Sequence, residues 1–322
     1  MIKYFLYPIT YLFSIIIYIR NLLYDYSILP ITQSKMPVIS IGNIQVGGTG
    51  KTPFVYSLVQ LLQMNNIKPL IITRGYKRNT STQITFTDIK QYTVEEVGDE
   101  PYYLKKMLES TPIIIDNNKK KAIQKANQFH NIDCIILDDG FQSRYIKRDL
   151  DIVLINTWNI KQDFQIMPSG NLREKIYNLN RADIIYTTKG NRSKNLFLKY
   201  KTYPLHIEYQ LITYDKNKII NIKKIEKIEN EKVIALSGIA NPTHFLESLK
   251  KLNINYDQVI SFKNHYQYNI SNQPIIDDKN IIYITTYKDF FKLNLKKSKI
   301  YILDIHININ EQPILSIIKK II

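Results

Sequence analysis

Gly42-Asn43-Ile44-Gln45-Val46-Gly47-Gly48-Thr49-Gly50-Lys51-Thr52-Pro53 joins an apolar strand, Val38-Ile39-Ser40-Ile41, to a helix whose apolar face is Phe54, Val55, Leu58, Val59, Leu61 and Leu62. Pro53 falls in the first turn of that helix, where a missing N–H costs nothing. Pro69-Leu70-Ile71-Ile72-Thr73 follows as a second strand, so the stretch reads as a βαβ unit. A glycine-rich loop between strand and helix has the geometry that phosphate wants. Successive backbone N–H groups and the helix N-terminus converge on an anion, and the glycines let the main chain come close to it. Gly47, Gly48, Thr49, Gly50, Lys51 and Thr52 are therefore the expected nucleotide-binding residues, with Lys51 reaching the β/γ-phosphates and the Thr52 hydroxyl available to Mg²⁺. The loop departs from the simplest pattern at one place: the position six before Lys51 is Gln45 and not Gly.

Working outward, further continuous apolar runs of the kind parallel sheets carry lie at Ile113-Ile114-Ile115, Cys134-Ile135-Ile136-Leu137, Ile152-Val153-Leu154-Ile155 and Ile184-Ile185-Tyr186. The second of these ends in Asp138-Asp139-Gly140-Phe141-Gln142. Alone, Asp-Asp-Gly is a turn; after a P-loop, a strand-terminal acid at the sheet edge of Lys51 holds or orients Mg²⁺. Asp138 takes that role, and Asp139 joins Thr52 and Asp138 in the expected metal set. Arg74-Gly75-Tyr76 ends the strand after the P-loop helix, and Gly98-Asp99-Glu100-Pro101 precedes another helix. Ligands of open α/β sheets bind outside the carboxyl ends of the strands, so Arg74 can grip an acceptor phosphate and Asp99 can take a proton from an acceptor hydroxyl. From spacing alone, a plain helix cap is the stronger reading of Asp99.

The 322 residues carry 44 Lys+Arg against 28 Asp+Glu, a net charge of +16, and 44% are apolar, enough for a sizeable core and for two domains. A single cysteine, Cys134, excludes an internal disulfide, and no Cys/His cluster suggests a structural zinc site, so a cytosolic setting is the default. The basic balance points to nucleic acid, an anionic membrane, a phosphorylated substrate, or nothing beyond Lys-rich solvated faces. Runs such as Lys119-Lys120-Lys121 and Lys223-Lys224 lack interleaved aromatics, which argues against nucleic acid. From Tyr4 to Ile19 there is no charge. Those residues reach only about 24 Å at 1.5 Å each, short of a hydrocarbon core of roughly 30 Å, so an interfacial helix is expected in place of a span. No small-x-small cleavage site follows before Arg20, which argues against secretion.

The polar stretch from about Asn191 to Asn230 reads as a crossing between domains, and a second α/β unit follows. Its strands are Val233-Ile234-Ala235-Leu236, Ile281 to Ile284 and Ile300 to Leu303, with a helix from about Pro242 to Leu252. The expected organisation is a membrane-interface helix over 1–29, a P-loop domain over 30–225 and a smaller α/β domain over 226–322 that contributes to the active-site cleft. The fold class is α/β: a P-loop NTPase-like, mostly parallel sheet with helices on both faces, a smaller C-terminal α/β domain and an N-terminal apolar helix.

Seven motifs taken in order resemble one family. They are the 42–53 loop, Thr-Arg-Gly-Tyr (73–76), Gly-Asp-Glu-Pro (98–101), Asp-Asp-Gly-Phe-Gln (138–142), Gly-x-Leu-Arg-Glu (170–174), Ser-Gly-Ile-Ala-Asn-Pro (237–242) and Thr-Thr-x-Lys-Asp (285–289). Together they resemble tetraacyldisaccharide 4′-kinases. That resemblance implies ATP- and Mg²⁺-dependent transfer of the γ-phosphoryl group to the 4′-hydroxyl of a tetraacyldisaccharide 1-phosphate, giving lipid IVA at the cytoplasmic face of the bacterial inner membrane. It implies a base made of Asp99 helped by His265, with Lys51 as the third catalytic residue and Arg74, Tyr76 and Gln142 on the substrate. The implied partners are the acylated disaccharide lipid and the membrane surface, with neither nucleic acid nor a protein partner. Two positions depart from the family pattern: Ser143 stands where a His is usual, and Asn264 where an Asp often precedes the second-domain His. The alternatives are a P-loop nucleotide-hydrolysing switch or chaperone, and a catalytically weakened relative. Against the latter, Lys51, Thr52, Asp99 and Asp138 are all present.

Overall fold

A computed structural model describes residues 2–157, 165–188, 199–215, 218–222, 231–239, 242–263, 266, 268 and 275–322. The chain divides into two compact units, Met1–His206 with Ile307–Ile322, and Ile207–His306. The division thus falls ahead of the 225/226 line drawn from composition. The reason is visible in the polar stretch itself. His206–Asp215 forms a ten-residue strand, in which apolar residues alternate at Ile207, Tyr209 and Leu211, and it pairs antiparallel with Lys218–Ile222. Lysines and asparagines on either side of it, over 191–201 and 216–218, outweigh that alternation when the stretch is read by composition.

In the larger unit, α1 (Ile2–Asp25) precedes β1 (Val38–Gly42), α2 (Lys51–Met64), β2 (Pro69–Thr73), β3 (Ile84–Phe86), α3 (Val94–Val97) and α4 (Asp99–Met107). Then come β4 (Ile113–Ile115), α5 (Lys119–Ala126), β5 (Cys134–Asp138), β6 (Leu150–Asn156), β7 (Ile184–Thr188) and β8 (Thr202–Pro204). The eight strands run in the order β3-β4-β2-β5-β1-β6-β7-β8, parallel except for the β3–β4 edge pair. β1, β2, β4 and β5 are buried throughout, as continuous apolar runs demand of a sheet covered on both sides. Val38, Leu70, Ile72, Ile135 and Leu137 pack with Ala122, Ile123 and Ala126 of α5. The buried face of α2 is Phe54, Val55, Leu58, Val59, Leu61 and Leu62, the face read from the sequence. Its Phe54 ring lies 5.3 Å from that of Tyr186 on β7.

The central position of β1 between β5 and β6 decides where chemistry can occur. Ile41 pairs with Asp138, so the acid at the end of β5 stands beside the start of the glycine loop. Two glycines permit this approach. A Cβ on Gly42 would lie 2.4 Å from the Phe141 Cβ, and one on Gly140 would lie 2.6 Å from the Ser40 hydroxyl.

The first helix is longer than the uncharged run that marks it. α1 has 24 residues, about 36 Å, so the length argument against spanning a membrane does not hold for the helix as formed. By length and composition Leu6–Asp25 could cross a bilayer. One face, however, is fixed to its own unit: the Thr10 hydroxyl donates to Ser169 Oγ (2.9 Å), Phe13 packs on the cluster around Val153 and Leu179, and Asn21 donates to Glu174 Oε2 (3.1 Å). Ile9, Leu12, Ile16 and Ile19, on the opposite face, are each at least half exposed.

The smaller unit has a sheet of order β10-β9-β14-β13-β11-β12, with β9 (His206–Asp215), β10 (Lys218–Ile222), β11 (Lys232–Ser237), β12 (Gln258–Ser261), β13 (Ile281–Thr286) and β14 (Lys299–Asn308). β12, β11, β13 and β14 are mutually parallel. α6 (Pro242–Lys251) lays Phe245 and Leu249 on Val233, Ala235, Ile282 and Ile284, and α7 (Tyr287–Phe290) follows β13 directly. The last helix, α8 (Glu311–Ile321), belongs to the larger unit.

Candidate nucleotide and phosphoryl-transfer site

The loop after β1 is held open by what lies behind it. Gly47 and Gly50 have φ of 110° and 81°, conformations that glycine adopts without strain, and a Cβ at Gly47, Gly48 or Gly50 would meet nothing within 4 Å. The glycine loop is therefore open to free space as it runs into the start of α2, the arrangement that receives phosphate. Thr49 differs from its neighbours: it is buried, and its hydroxyl accepts from Asn43 Nδ2 at 2.9 Å, which ties it back to the start of the loop. Gln45 explains the departure from the simplest motif. Its side chain makes a two-way bond with the main chain at the end of β6, donating to Asn156 O (3.1 Å) and accepting from Asn156 N (2.9 Å). Main-chain bonds from Val46 N to Asn171 O (2.7 Å) and from Arg173 N to Ile44 O (2.7 Å) brace the same loop. Gln142, expected on the substrate, donates to Asn43 O at 2.8 Å and so supports the loop from the other side.

The two acids have opposite environments. Asp138 is buried, its Oδ2 accepts from Thr73 Oγ1 at 2.9 Å, and its Oδ1 has no hydrogen-bond partner among the described residues. Burial, reinforced by the Glu100 and Asp139 carboxylates, pushes its carboxyl up to about 6. Asp139 takes two cations: Arg173 Nη1 at 2.9 and 2.8 Å, and Lys51 Nζ at 3.3 Å. Burial opposes its ionisation, yet Lys51, Arg173 and Lys119 together hold it well below the usual carboxylate range. Asp139 is thus already paired with two cations, whereas the orphaned oxygen of Asp138 fits a hard cation.

Lys119 is the residue that the sequence hid. It opens a run of three lysines that reads as a solvated face, but the side chain is fully buried, and Nζ donates to Asp138 O (2.7 Å) and Asp139 O (2.6 Å). Burial and the neighbouring cations Arg74 and Lys51 lower it to about 8. It fixes the main chain of the acidic turn, where Asp139 has φ of 51°. Arg173 was legible only as part of the 170–174 motif; Glu174 beside it is fully buried, bonded to Arg181 Nη2 at 2.5 Å and to Asn21 of α1.

Asp99 is the first residue of α4, after Gly98 with φ of 91°. The turn before it packs against the 74–76 turn: a Cβ on Gly98 would lie 3.2 Å from Tyr76 O, and one on Gly75 would lie 2.8 Å from Val97 O. Arg74 and Tyr76 are exposed, and with Lys77, Arg78 and Asn117 they line a cleft of ≈ 380 Å³. Thr52, the second residue of α2, is half-buried beside Lys51. The structure thus gathers Lys51, Thr52, Asp138, Asp139, Arg74, Tyr76 and Asp99 at one sheet edge. Ser143 is buried, and its carbonyl accepts from Arg148 Nη1 at 3.0 Å. His265 and Asn264 lie outside the described residues.

The environment of Asp138 carries a stability consequence. With a folded pKa near 6 against an ordinary 3.8, Asp138 favours folding below 3.8, and that contribution is lost as pH rises through about 6. Asp138→Asn is expected to raise Tm at pH 8 by roughly 3–8 °C over the parent, a gain that shrinks at pH 4.5, while abolishing phosphoryl transfer. Thermal unfolding of both proteins at the two pH values checks it; an equal difference at both would mean that Asp138 is not a buried charge.

Comparison with known proteins gives a consistent picture. A sequence model of the family described as tetraacyldisaccharide-1-P 4′-kinase matches residues 2–322. A tetraacyldisaccharide 4′-kinase of Aquifex aeolicus is 34% identical over 297 residues, 91% of this chain and 90% of that protein. One from Flavobacterium johnsoniae is 32% identical over 317 residues, 93% of this chain and 91% of that protein. Among solved structures, the "apo" form of LpxK from Aquifex aeolicus in complex with ATP superposes with a TM-score of 0.84 at 32% identity, covering 100% of this chain and 99% of that one.

Proposed function

The chain belongs to the tetraacyldisaccharide-1-P 4′-kinase family, and we propose that the residues gathered at the carboxyl edge of the β1–β5 strands carry its reaction. The protein is an ATP-dependent kinase that phosphorylates the 4′ position of a tetraacyldisaccharide 1-phosphate in lipid A biosynthesis. The observation that supports this assignment of roles is the open glycine loop flanked by Lys51 and the half-satisfied, buried Asp138. The loop amides of 47–52 hold the nucleotide phosphates, and Lys51 leaves Asp139 to neutralise charge on the transferred group. Asp139 stays ionised without it because Arg173 remains. Thr52 and Asp138 offer hard oxygens that would hold Mg²⁺, which when bound neutralises charge on the β and γ oxygens. Asp99 accepts the proton of the acceptor hydroxyl, assisted by His265. Arg74, Tyr76 and the basic cleft beside them take the acceptor's own phosphate.

Incubation of the purified protein with γ-labelled ATP, Mg²⁺ and tetraacyldisaccharide 1-phosphate tests the reading. Label in the lipid supports it, and label released only as inorganic phosphate, without dependence on lipid, returns the chain to the nucleotide-switch alternative.

The acceptor carries four acyl chains, so the enzyme works where those chains reside, at the membrane surface on the cytoplasmic side. The exposed face of α1 suits a helix lying in the interface: Ile9, Leu12, Ile16 and Ile19 point away from the unit that the other face grips. Deleting α1 would strip Phe13 and Ile17 from the core, so surface substitutions are the cleaner test. Ile16→Glu with Ile19→Glu is expected to release most of the protein from anionic vesicles and to lower lipid turnover several-fold, with nucleotide binding unchanged. Equal sedimentation of parent and variant would make α1 a structural helix only.

A further inference from the structure

The Gly-x-Leu-Arg-Glu motif at 170–174 has given one side chain, Arg173, to the chemistry so far, and its surroundings explain why α1 carries polar groups on the face turned to its own unit. Ser169 is buried; its Oγ receives the Thr10 hydroxyl (2.9 Å) and its N–H donates to Thr10 Oγ1 (3.1 Å). Asn21, about three turns further along the same face of α1, is also buried and donates from Nδ2 to Glu174 Oε2 at 3.1 Å. α1 thus grips the segment 169–174 at both of its ends. Gly170 lets that segment turn, since a Cβ there would collide with Gln165 O.

Between those ends the segment bears on the glycine loop and the acidic turn. Leu172 pairs with Gln45, Asn171 O accepts from Val46 N, and Ile44 O accepts from Arg173 N, while the Arg173 side chain reaches Asp139 at 2.8 Å. Glu174, the next residue, is fully buried: its Oε2 accepts from Arg181 Nη2 (2.5 Å) as well as from Asn21, and Arg20 Nη2 lies 3.9 Å from its Oε1. Arg181 in turn stands over the ring of Phe141, its Cζ 4.4 Å from the centroid, so the carboxylate's second partner also touches the acidic turn. A buried ion pair is a costly way to join two surfaces, and apolar packing would give as much stability. What the polar tie adds is direction, because donors from α1 and from Arg181 meet at one oxygen.

We propose that Asn21 of α1 is a positioning residue for phosphoryl transfer: its amide on the Glu174 carboxylate fixes the 169–174 segment so that Arg173 stays on Asp139 and Lys51 is able to leave it. α1 is then part of the frame of the site, besides presenting its outer face to the interface. The inference rests on the reading of Lys51 as the group that turns from Asp139 to the transferred phosphate. An amide suits the task because it donates to the carboxylate without adding charge. Asn21→Ala leaves Glu174 its Arg181 partner, so no buried carboxylate is stranded. Asn21→Asp sets two buried acids against each other and should cost more. Combined with Glu174→Gln, however, it faces a donor with an acceptor again at unchanged net charge, so the pair should recover what Asn21→Asp loses.

The test uses the full-length protein with Asn21→Ala, Asn21→Asp, Glu174→Gln, the pair Asn21→Asp with Glu174→Gln, Arg173→Ala alone and with Asn21→Ala, and Lys51→Ala as the reference. On each, kcat for lipid phosphorylation, KM for ATP, Tm and sedimentation with anionic vesicles are measured. The expected result is a three- to tenfold lower kcat for Asn21→Ala, larger losses for Asn21→Asp and Glu174→Gln, and a return to within threefold of the parent in the exchanged pair. KM for ATP and sedimentation should be unchanged in Asn21→Ala, which a lost anchor or a loosened fold would not leave so. On the Arg173→Ala background, Asn21→Ala should have no further effect, because the path runs through that guanidinium. Asn21→Ala stays informative even where Glu174→Gln fails to fold. An Arg173→Ala loss with Asn21→Ala within twofold of the parent overturns the inference alone. Multiplicative losses in Asn21→Ala with Arg173→Ala, a folded exchanged pair no better than Asn21→Asp, or losses that track Tm or vesicle binding also overturn it. Parental kcat in Lys51→Ala overturns the reading of Lys51 and the inference with it.

Discussion

Lys51→Ala is expected to lower kcat for lipid phosphorylation by roughly 10²–10³ or more while leaving the fold intact, the range seen when one preorganised charge-stabilising group is removed from a transition state. The fold is spared because of what Lys51 touches. Its Nζ lies 3.3 Å from Asp139 Oδ1, but Asp139 also receives Arg173 at 2.8 Å, so deleting the lysine leaves no buried carboxylate alone. The rest of α2 is anchored by its apolar face, from Phe54 to Leu62. Tm should therefore move little, and the loss should appear in kcat more than in KM for the lipid. Steady-state kinetics with thermal unfolding on the same preparation checks this. A folded Lys51→Ala protein with near-parental turnover would remove the loop from the chemistry.

Arg173→Ala tells the two cations apart. Without it the Asp139 carboxylate keeps Lys51 as its ion-pair partner among the described residues, and Lys51 is then less free to turn toward a phosphate, so the defect has an electrostatic origin and lies on the same path as that of Lys51.

The parts legible in the sequence are those whose physics is local. A run such as Ile113-Ile114-Ile115 is apolar because a parallel strand is covered on both faces, and glycines followed by Lys-Thr have few uses other than an anion. What was not legible depended on residues far along the chain. Lys119 looks like its exposed neighbours, and only the carbonyls of Asp138 and Asp139, 19 and 20 positions away, make it a buried donor. Gln45 reads as a flaw in the motif until the end of β6 supplies its partner, 111 residues on. Adjacent aspartates look alike in sequence for the same reason: it takes Arg173 and Lys51 on one, and an orphaned oxygen on the other, to separate them. α1 outreaches the uncharged run Tyr4–Ile19 because the helix continues through Arg20 to Asp25, where Arg144 pairs with Asp25 at 2.7 Å and donates to Asn21 O at 2.7 Å.

The pair Asp99 and His265 carries the second large expectation. A sugar hydroxyl is a weak nucleophile, and a positioned base is worth roughly 10²–10⁴ in rate, so Asp99→Ala should lose that much in kcat. Its place supports the role: Asp99 starts α4 behind a glycine with φ of 91°, against the 74–76 turn, and the adjacent Glu100 is near enough to act on the ionisation of Asp138. Asp99 therefore starts its helix beside the 74–76 turn, and its removal should spare ATP binding. Were Asp99 only a helix cap, its loss would cost stability of about 1 kcal/mol and little turnover, since capping acts on the helix and not on the reacting hydroxyl. Residues that act as one unit are not additive, so Asp99→Ala with His265→Ala should be little worse than the worse single variant. Kinetics of the four-member cycle, with Tm and ATP affinity measured on each, discriminates the cases. Full multiplication of the two losses would mean that the two residues act on separate steps, with Asp99 as base alone and His265 engaged elsewhere on the acceptor.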